Sequence, residues 1–251
     1  MIVIRDLTYY YPGKTPLLAI SEASLEVGEG EFVSVIGPSG CGKSTMLRLI
    51  ADLLKPTAGE IRVQGRSPSE MRRSRQLGFV FQEPALMPWR SSLKNVMLPL
   101  QMMGQAGKEG KAKARSMLKL VDLGDFEGKR PNELSGGMRQ RVSIARALTY
   151  SPKVLLMDEP FGALDQITRD EMNQELLRIW EADRTTLLFV THSIAEAVFL
   201  SDRVVVMTPR PGRVTASIPI TLPRPRTSNV KRAPEFFELE TQVLRALEGT
   251  A

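Results

Sequence analysis

The nine residues Gly37-Pro38-Ser39-Gly40-Cys41-Gly42-Lys43-Ser44-Thr45 match the phosphate-loop pattern G-x-x-x-x-G-K-[ST] at every fixed position. Both flanks agree with that reading. Phe32-Val33-Ser34-Val35-Ile36 has the apolar, β-branched composition of a short buried strand, and Met46, Leu47, Ile50, Leu53 and Leu54 recur at helical spacing after the loop. Strand, glycine loop and helix are what triphosphate binding needs. The glycines let backbone N–H groups turn inward, and the new helix points its positive end at the anion. Lys43 is placed to reach the β- and γ-phosphates, and the Ser44 hydroxyl to ligate Mg²⁺. The stretch reads as a site for ATP or GTP.

Composition narrows the class without naming a substrate. At 251 residues the chain can bury a full core as one large domain or two small ones. Hydrophobic content of 42% and charged content of 25% are those of an ordinary soluble globular protein. The net charge of +6 is compatible with nucleic acid, an anionic membrane surface or a solvated face. No Lys/Arg run is interleaved with aromatics, which argues against nucleic acid. The one cysteine, Cys41, excludes an intramolecular disulfide and suits a reducing compartment. The pattern does not require it within the loop, so it reads as a small filler. No signal peptide is evident at the amino terminus, and no apolar window is long enough to span a membrane. A cytosolic protein is expected, one that can dock on a membrane partner.

Residues 2–10 and 20–27 read as strands, the second with Ala23, Leu25 and Val27 alternating against Glu22, Ser24 and Glu26. Tyr9, Tyr10 and Tyr11 precede a Pro12-Gly13 turn; they are half-buried strand residues, or one of them stacks on a nucleobase, and spacing leaves both readings open. Lys55 to Gly59 is a stop and turn, Glu60 to Val63 a strand, and Gly78 to Phe81 another that ends at Gln82. An amide just past a buried strand can coordinate Mg²⁺ or orient a water.

From 84 to 150 the chain changes character. Pro84, Pro88, Trp89 and Pro99 punctuate a loop-rich stretch. Ala112 to Val121 then reads as an amphipathic helix, with Ala114, Met117, Leu118 and Val121 opposite a lysine-rich, solvated face. This block is expected to be a helical insertion in an α/β core. Within it, Ser135 is a good N-cap before Gly136 and Gly137, and Met138, Val142, Ala145 and Leu148 continue at helical spacing. That makes a second helix start stripped of side chains, and a second place to hold phosphate oxygens.

Val154 to Met157 is an apolar strand that delivers Asp158 and Glu159. The aspartate suits Mg²⁺ and the glutamate a general base. Asp165 precedes a helix carrying Met172, Leu176, Ile179 and Trp180. Leu187 to Thr191 is another buried strand, and it delivers His192, the single histidine. Like Gln82 and Asp158, His192 sits at the carboxyl end of a strand, where open α/β sheets bind ligands. Arg203 to Met207 reads as the last core strand. Six prolines in residues 209–234 then imply extended surface chain with short edge strands at most, and Phe236, Leu239, Val243 and Leu247 mark a short amphipathic helix.

Laid out together, these residues resemble the ATP-binding cassette (ABC) ATPases over nearly the whole chain. The phosphate loop, Gln82, the Leu134-Ser135-Gly136-Gly137-Met138 signature, the carboxylate strand, the Asp165 loop and His192 stand in that family's order. The resemblance implies an α/β P-loop NTPase core of RecA-like type, with an N-terminal antiparallel β subdomain and an inserted helical subdomain. The expected bounds are a cassette at 1–235 (core 1–83 and 151–208, helical part about 84–150) and a C-terminal helix or tail at 236–251. It implies a homodimer with each ATP between one subunit's phosphate loop and the other's Ser135, Gly136 and Gly137, and Asp165 at the nucleotide. Glu159 is the implied general base, His192 the γ-phosphate contact, Gln82 the link from Mg²⁺ to a membrane subunit, and Tyr11 the adenine-stacking aromatic.

A finer resemblance runs through Phe81 to Arg90, Leu134 to Arg141 and Ser201 to Met207. It is to the ATPases of nitrate, sulfonate and taurine importers, a branch that also serves some vitamin precursors. This implies a peripheral protein on the cytoplasmic face of the inner membrane. Its partners would be integral permease subunits and, through them, an extracytoplasmic solute-binding protein, with no nucleic acid. Met138 stands where glutamine is commoner, and Ser193 where aspartate usually follows the histidine. The rivals are a non-transport cassette acting on ribosomes or DNA and a small-molecule kinase. The first ordinarily carries tandem cassettes or long coiled-coil inserts, which this chain lacks, and the second leaves the signature unexplained.

Overall fold

A computed structural model describes residues 1–162 and 164–249; Ala163, Thr250 and Ala251 lie outside the described residues. Strands β1 (Ile2–Tyr11) and β2 (Leu17–Val27) pair antiparallel. Buried β3 (Phe32–Ile36) leads through the glycine loop into α1 (Lys43–Ile50). Then come β4 (Ala58–Val63), α2 (Pro68–Arg73) and β5 (Leu77–Val80). Four helices follow: α3 (Ser92–Val96), α4 (Leu98–Met102), α5 (Lys108–Leu120) and α6 (Gly136–Leu148). The chain returns to the sheet with β6 (Val154–Asp158), α7 (Gln166–Asp183), β7 (Thr186–Val190), α8 (Ile194–Leu200) and β8 (Arg203–Met207). It closes with β9 (Val214–Pro219) and α9 (Pro234–Glu248).

The described strands form two sheets. One has three antiparallel strands in the order β2-β1-β4; the other has six, in the order β5-β6-β7-β3-β8-β9. In the larger sheet all neighbours are parallel except β8 and β9. The apolar runs of its inner strands follow from burial on both faces. Period-2 alternation sorts them: Val33, Val35, Leu156, Leu188, Val190 and Val205 face a core shared with α1 and the small sheet. Phe32, Ile36, Leu155, Met157, Leu187, Phe189, Val204 and Val206 face a second core under α7, α8 and α9. Each such side chain, once fully buried, contributes about 1.5–3 kcal/mol. A third cluster joins α3, α5 and α6 through Val96, Ala114, Leu118, Leu134 and Val142.

Helix α1 stops at Ile50, short of the Leu53 and Leu54 that its periodicity includes. Asp52 takes φ +59°, a left-handed conformation that ends the helix, and its carboxylate is held by Lys55 and by Arg72 Nε at 2.9 Å. Leu53 is left 50% exposed. Beyond β8, β9 adds an antiparallel edge strand, the kind of short edge the proline-rich stretch allows. Edge placement is what a proline-punctuated segment allows, since an edge strand can leave ladder positions unfilled. Helix α6 serves two regions: Val142 and Ala145 pack in the helical cluster, while Ile144 and Ala147 pack in the second sheet core. The amphipathic face of α9 is covered, with Phe236, Leu239 and Val243 buried in that same core.

Candidate active site

Strand order places the site. β5, β6, β7 and β3 are consecutive neighbours and parallel, so their carboxyl ends lie side by side. Gln82 follows β5, Asp158 ends β6, His192 follows β7 and the phosphate loop follows β3. Residues 110 apart in sequence thus meet on one edge, where open α/β sheets hold ligands.

Around the loop the geometry is that of a cradle. Gly40 and Gly42 take φ +76° and +101°, values that glycine adopts without strain. Gly37 is pressed against the end of β8: a Cβ there would lie 2.8 Å from the Met207 carbonyl oxygen and 2.9 Å from Cys41 Sγ. Cys41 is fully buried, as a space-filling residue should be. The Lys43 ammonium, on a residue 5% exposed, donates to the carbonyl oxygens of Gly37 (2.8 Å) and Pro38 (3.0 Å), which hold it over the loop.

Two carboxylates stand beside this cradle with different surroundings. Asp158 is buried, and its Oδ1 accepts a hydrogen bond from Ser44 Oγ at 2.7 Å. Burial raises the Asp158 carboxyl above its ordinary range, with the Ser44 hydrogen bond pulling the other way. Glu159 is half-buried and turns aside, its backbone at φ +42° and its N–H donating to Val190 O at 3.0 Å. For a non-glycine residue that conformation costs about 1–3 kcal/mol, and surrounding structure must hold it. Its Oε2 accepts from Gln82 Nε2 at 3.3 Å and lies 3.3 Å from His192 Nδ1. One carboxylate oxygen is therefore bracketed by an amide and an imidazole, both on exposed residues.

These groups open on a cleft of about 420 Å³, lined by Tyr11, the 39–45 loop, Gln82 and Glu159. Tyr11 is half-buried, with its hydroxyl 2.9 Å from Thr45 Oγ1 and its ring edge-on to Tyr9 at 5.0 Å. Leu17, Ala19 and Arg210 also line the cleft, and sequence reasoning passed over all three. Leu17 carried one readable signal, an apolar residue beside a turn; Ala19 and Arg210 reach the cleft only through the packing of β2 and the β8–β9 connection.

Ser135, Gly136, Gly137 and Asp165 do not line this cleft. Ser135 Oγ accepts from Met138 N at 3.2 Å and so caps α6, while Asp165 Oδ1 accepts from Thr168 N at 3.0 Å and caps α7. The two caps are close together, since a Cβ on Gly137 would lie 3.0 Å from Leu164 Cδ2. Within one chain they form a separate, exposed patch.

Comparison with known proteins accords with this geometry. The family description "ABC transporter" matches residues 20–162. An uncharacterized ABC transporter ATP-binding protein of Methanocaldococcus jannaschii is 47% identical over 230 residues, covering 92% of this chain and 84% of the relative. A taurine import ATP-binding protein of Rhizobium johnstonii is 44% identical over 237 residues, 92% of this chain and 90% of the relative. An aliphatic sulfonates import ATP-binding protein of Bacillus cereus is 42% identical over 248 residues, 98% of this chain and 96% of the relative. Among solved structures, a dimeric ATP-binding cassette in a post-hydrolysis state with ADP and Pi superposes with a TM-score of 0.79 at 36% identity, covering 88% of this chain and all of that one. This chain belongs to the ABC transporter family, as one of its ATP-binding cassettes.

Proposed function

We propose that the chain is the ATP-hydrolysing subunit of an importer for a small solute of the sulfonate, taurine or nitrate kind. The observation that carries hydrolysis is the Glu159 carboxylate, one residue past Asp158 and within 3.3 Å of both Gln82 Nε2 and His192 Nδ1. In this reading Lys43 and the loop N–H groups hold the phosphates of ATP, and Tyr11 stacks on the adenine. Glu159 takes a proton from the attacking water, and His192 contacts the γ-phosphate while Gln82 helps orient the water.

The donor set around Ser44 and Asp158 fits Mg²⁺. Among the described residues no cluster of three or more His, Cys, Asp or Glu side chains could hold a metal by itself. Magnesium needs only one or two carboxylates from the protein and completes its shell with other oxygens, waters and substrate phosphates. Ser44 Oγ, the Asp158 carboxylate and the Gln82 amide oxygen would hold it, and once bound it neutralises phosphate charge.

Homodimerisation through the exposed Ser135-Gly136-Gly137 patch, with Asp165 beside it, would close each nucleotide between two copies. The solved cassettes of similar fold are themselves dimeric. No helix among the described residues is long and apolar enough to cross a membrane. In this reading the chain is held at the membrane by its permease partners. An open apolar groove supports that attachment. Leu53, Phe79, Phe81, Pro99 and Met102 line it directly beside Gln82, with Arg72, Arg75 and Arg146 around them. We assign it to a cytoplasmic segment of the permease, apolar with an acidic residue to meet Arg75, since Arg72 is paired with Asp52 and Arg146 donates to the Ala85 carbonyl. The subunit would then lie on the cytoplasmic face of the inner membrane, and a solute-binding protein would act through the permease.

The test is recovery of the full chain carrying Glu159→Gln from detergent-solubilised membranes in the presence of ATP. A multispanning membrane protein should come with it, and Leu53→Asp or Met102→Asp should release that protein. Both groove residues are exposed, 50% and 69%, so neither change disturbs the core. Recovery of ribosomes or DNA instead, or of nothing, would overturn the importer reading.

A further inference from the structure

The β8–β9 connection is fixed to the cleft on two sides. Within the turn, Thr208 N donates to Arg213 O (2.9 Å), Thr208 Oγ1 to Pro211 O (3.1 Å) and Arg213 N to Thr208 Oγ1 (2.9 Å). Toward β2, Gly212 N donates to Ala19 O (2.9 Å), Ser21 N donates to Gly212 O (3.0 Å), and Arg213 reaches Ser21 Oγ (3.1 Å). Toward the phosphate loop, Gly212 lies so close that a Cβ would sit 1.9 Å from the Cys41 carbonyl oxygen. Only glycine fits there. The connection is therefore a strap locked between β2 and the nucleotide loop.

That strap carries Arg210 to the cleft wall. The residue is exposed, it lines the cleft with Tyr11, Leu17 and Ala19, and it has no hydrogen-bond or ion-pair partner among the described residues. Exposed arginines are ordinarily solvated, and an unpaired one alone would mean nothing. Several other arginines of this chain do have carboxylate partners, including Arg72, Arg115, Arg178, Arg203 and Arg224. Arg210 differs in being an uncompensated cation on a rigid backbone at the wall of an anion site.

We propose that Arg210 is a nucleotide-affinity residue, its guanidinium contacting the α/β-phosphate end of the bound nucleotide. The strap is hydrogen-bonded to Ala19 and Ser21, on the strand next to Tyr11, and follows β8, whereas Gln82, Glu159 and His192 follow β5, β6 and β7 on the opposite side of β3. A planar guanidinium presents parallel donors that match phosphate oxygens. The inference rests on ATP occupying this cleft, as proposed above.

The experiment compares the full wild-type chain with Arg210→Ala and Arg210→Lys by titration with ATP and with ADP, at low and at high salt. Arg210→Ala should raise Kd about three- to tenfold for ATP and ADP alike at low salt, the size of one charge-assisted contact at a partly exposed site. The gap should narrow at high salt as the charges are screened, and Arg210→Lys should recover part of the affinity. In turnover, KM should rise with kcat unchanged, the mark of binding lost equally from ground and transition states. An unchanged Kd at low salt would overturn the assignment. So would a loss confined to ATP, which places the contact at the γ-phosphate, or an equal loss in both variants with a lowered melting temperature, which makes the effect structural. Failure of the wild type to bind ATP would remove the proposed function itself, and this inference with it.

Discussion

Two glycine-rich helix starts, at α1 and at α6, obey the same local physics and end in different surroundings. Both lack bulky side chains, and both leave N–H groups free for an anion. At α1, the parallel sheet adds Lys43 over the loop, Asp158 on Ser44, and Glu159 between Gln82 and His192. At α6, the neighbours are Leu164 and Thr168, and Ser135 spends its hydroxyl on capping. Both have donors and a cation, Lys43 at α1 and Arg139 at α6, where its guanidinium donates to the Leu134 carbonyl; only the first has Gln82, Glu159 and His192 gathered beside it. On the function proposed above, a helix start serves as a reaction centre only when neighbouring strand ends bring carboxylates and an imidazole to it.

The comparison can be broken or sharpened in three ways. Glu159→Gln removes the proposed base from the richer start, and phosphate release should fall about 10²- to 10⁴-fold while ATP affinity stays within about twofold. Near-normal turnover would mean that the α1 cluster is not the reaction centre. Gly137→Asp tests the poorer start by placing a negative charge where the proposed dimer brings phosphate. Turnover should fall about 10²-fold, the scale of losing one preorganised donor, with single-chain ATP affinity again within about twofold. If affinity of the isolated chain fell as far as turnover, the two starts would serve one nucleotide within one chain. The smallest effect belongs to Ser135→Ala. Loss of the α6 cap should cost about 1 kcal/mol, or about 2–4 °C in melting temperature by calorimetry. An unchanged melting curve would show that the α6 start needs no cap.

Much of this is legible in the sequence. The phosphate loop is a local device whose strand, turn and helix lie within about twenty residues, so its pattern and its geometry coincide. Strand β6 declared itself by an apolar run closing on Asp158 and Glu159, and β7 by a run closing on His192. Other features were hidden because their causes are not local. The end of α1 depends on Asp52, whose carboxylate is held by Arg72 from α2. Strand β9 is legible only as a short edge strand somewhere in the proline-rich stretch; its place and register have no apolar run to mark them and are decided by the free edge of β8. Arg210 sits in a proline-rich stretch with no pattern at all; its place follows from Gly212 fitting against Cys41.

Loop chemistry, strand runs and helix caps are set by neighbours a few positions apart, so the residue types the chain can bring to a triphosphate are fixed locally. Which of them meet follows from how the strands pair. Parallel pairing in the order β5-β6-β7-β3 set Gln82, Asp158, His192 and Lys43 on one edge and left Ser135 and Gly137 outside the cleft. Strand order is chosen by which apolar faces can be buried together over long separations.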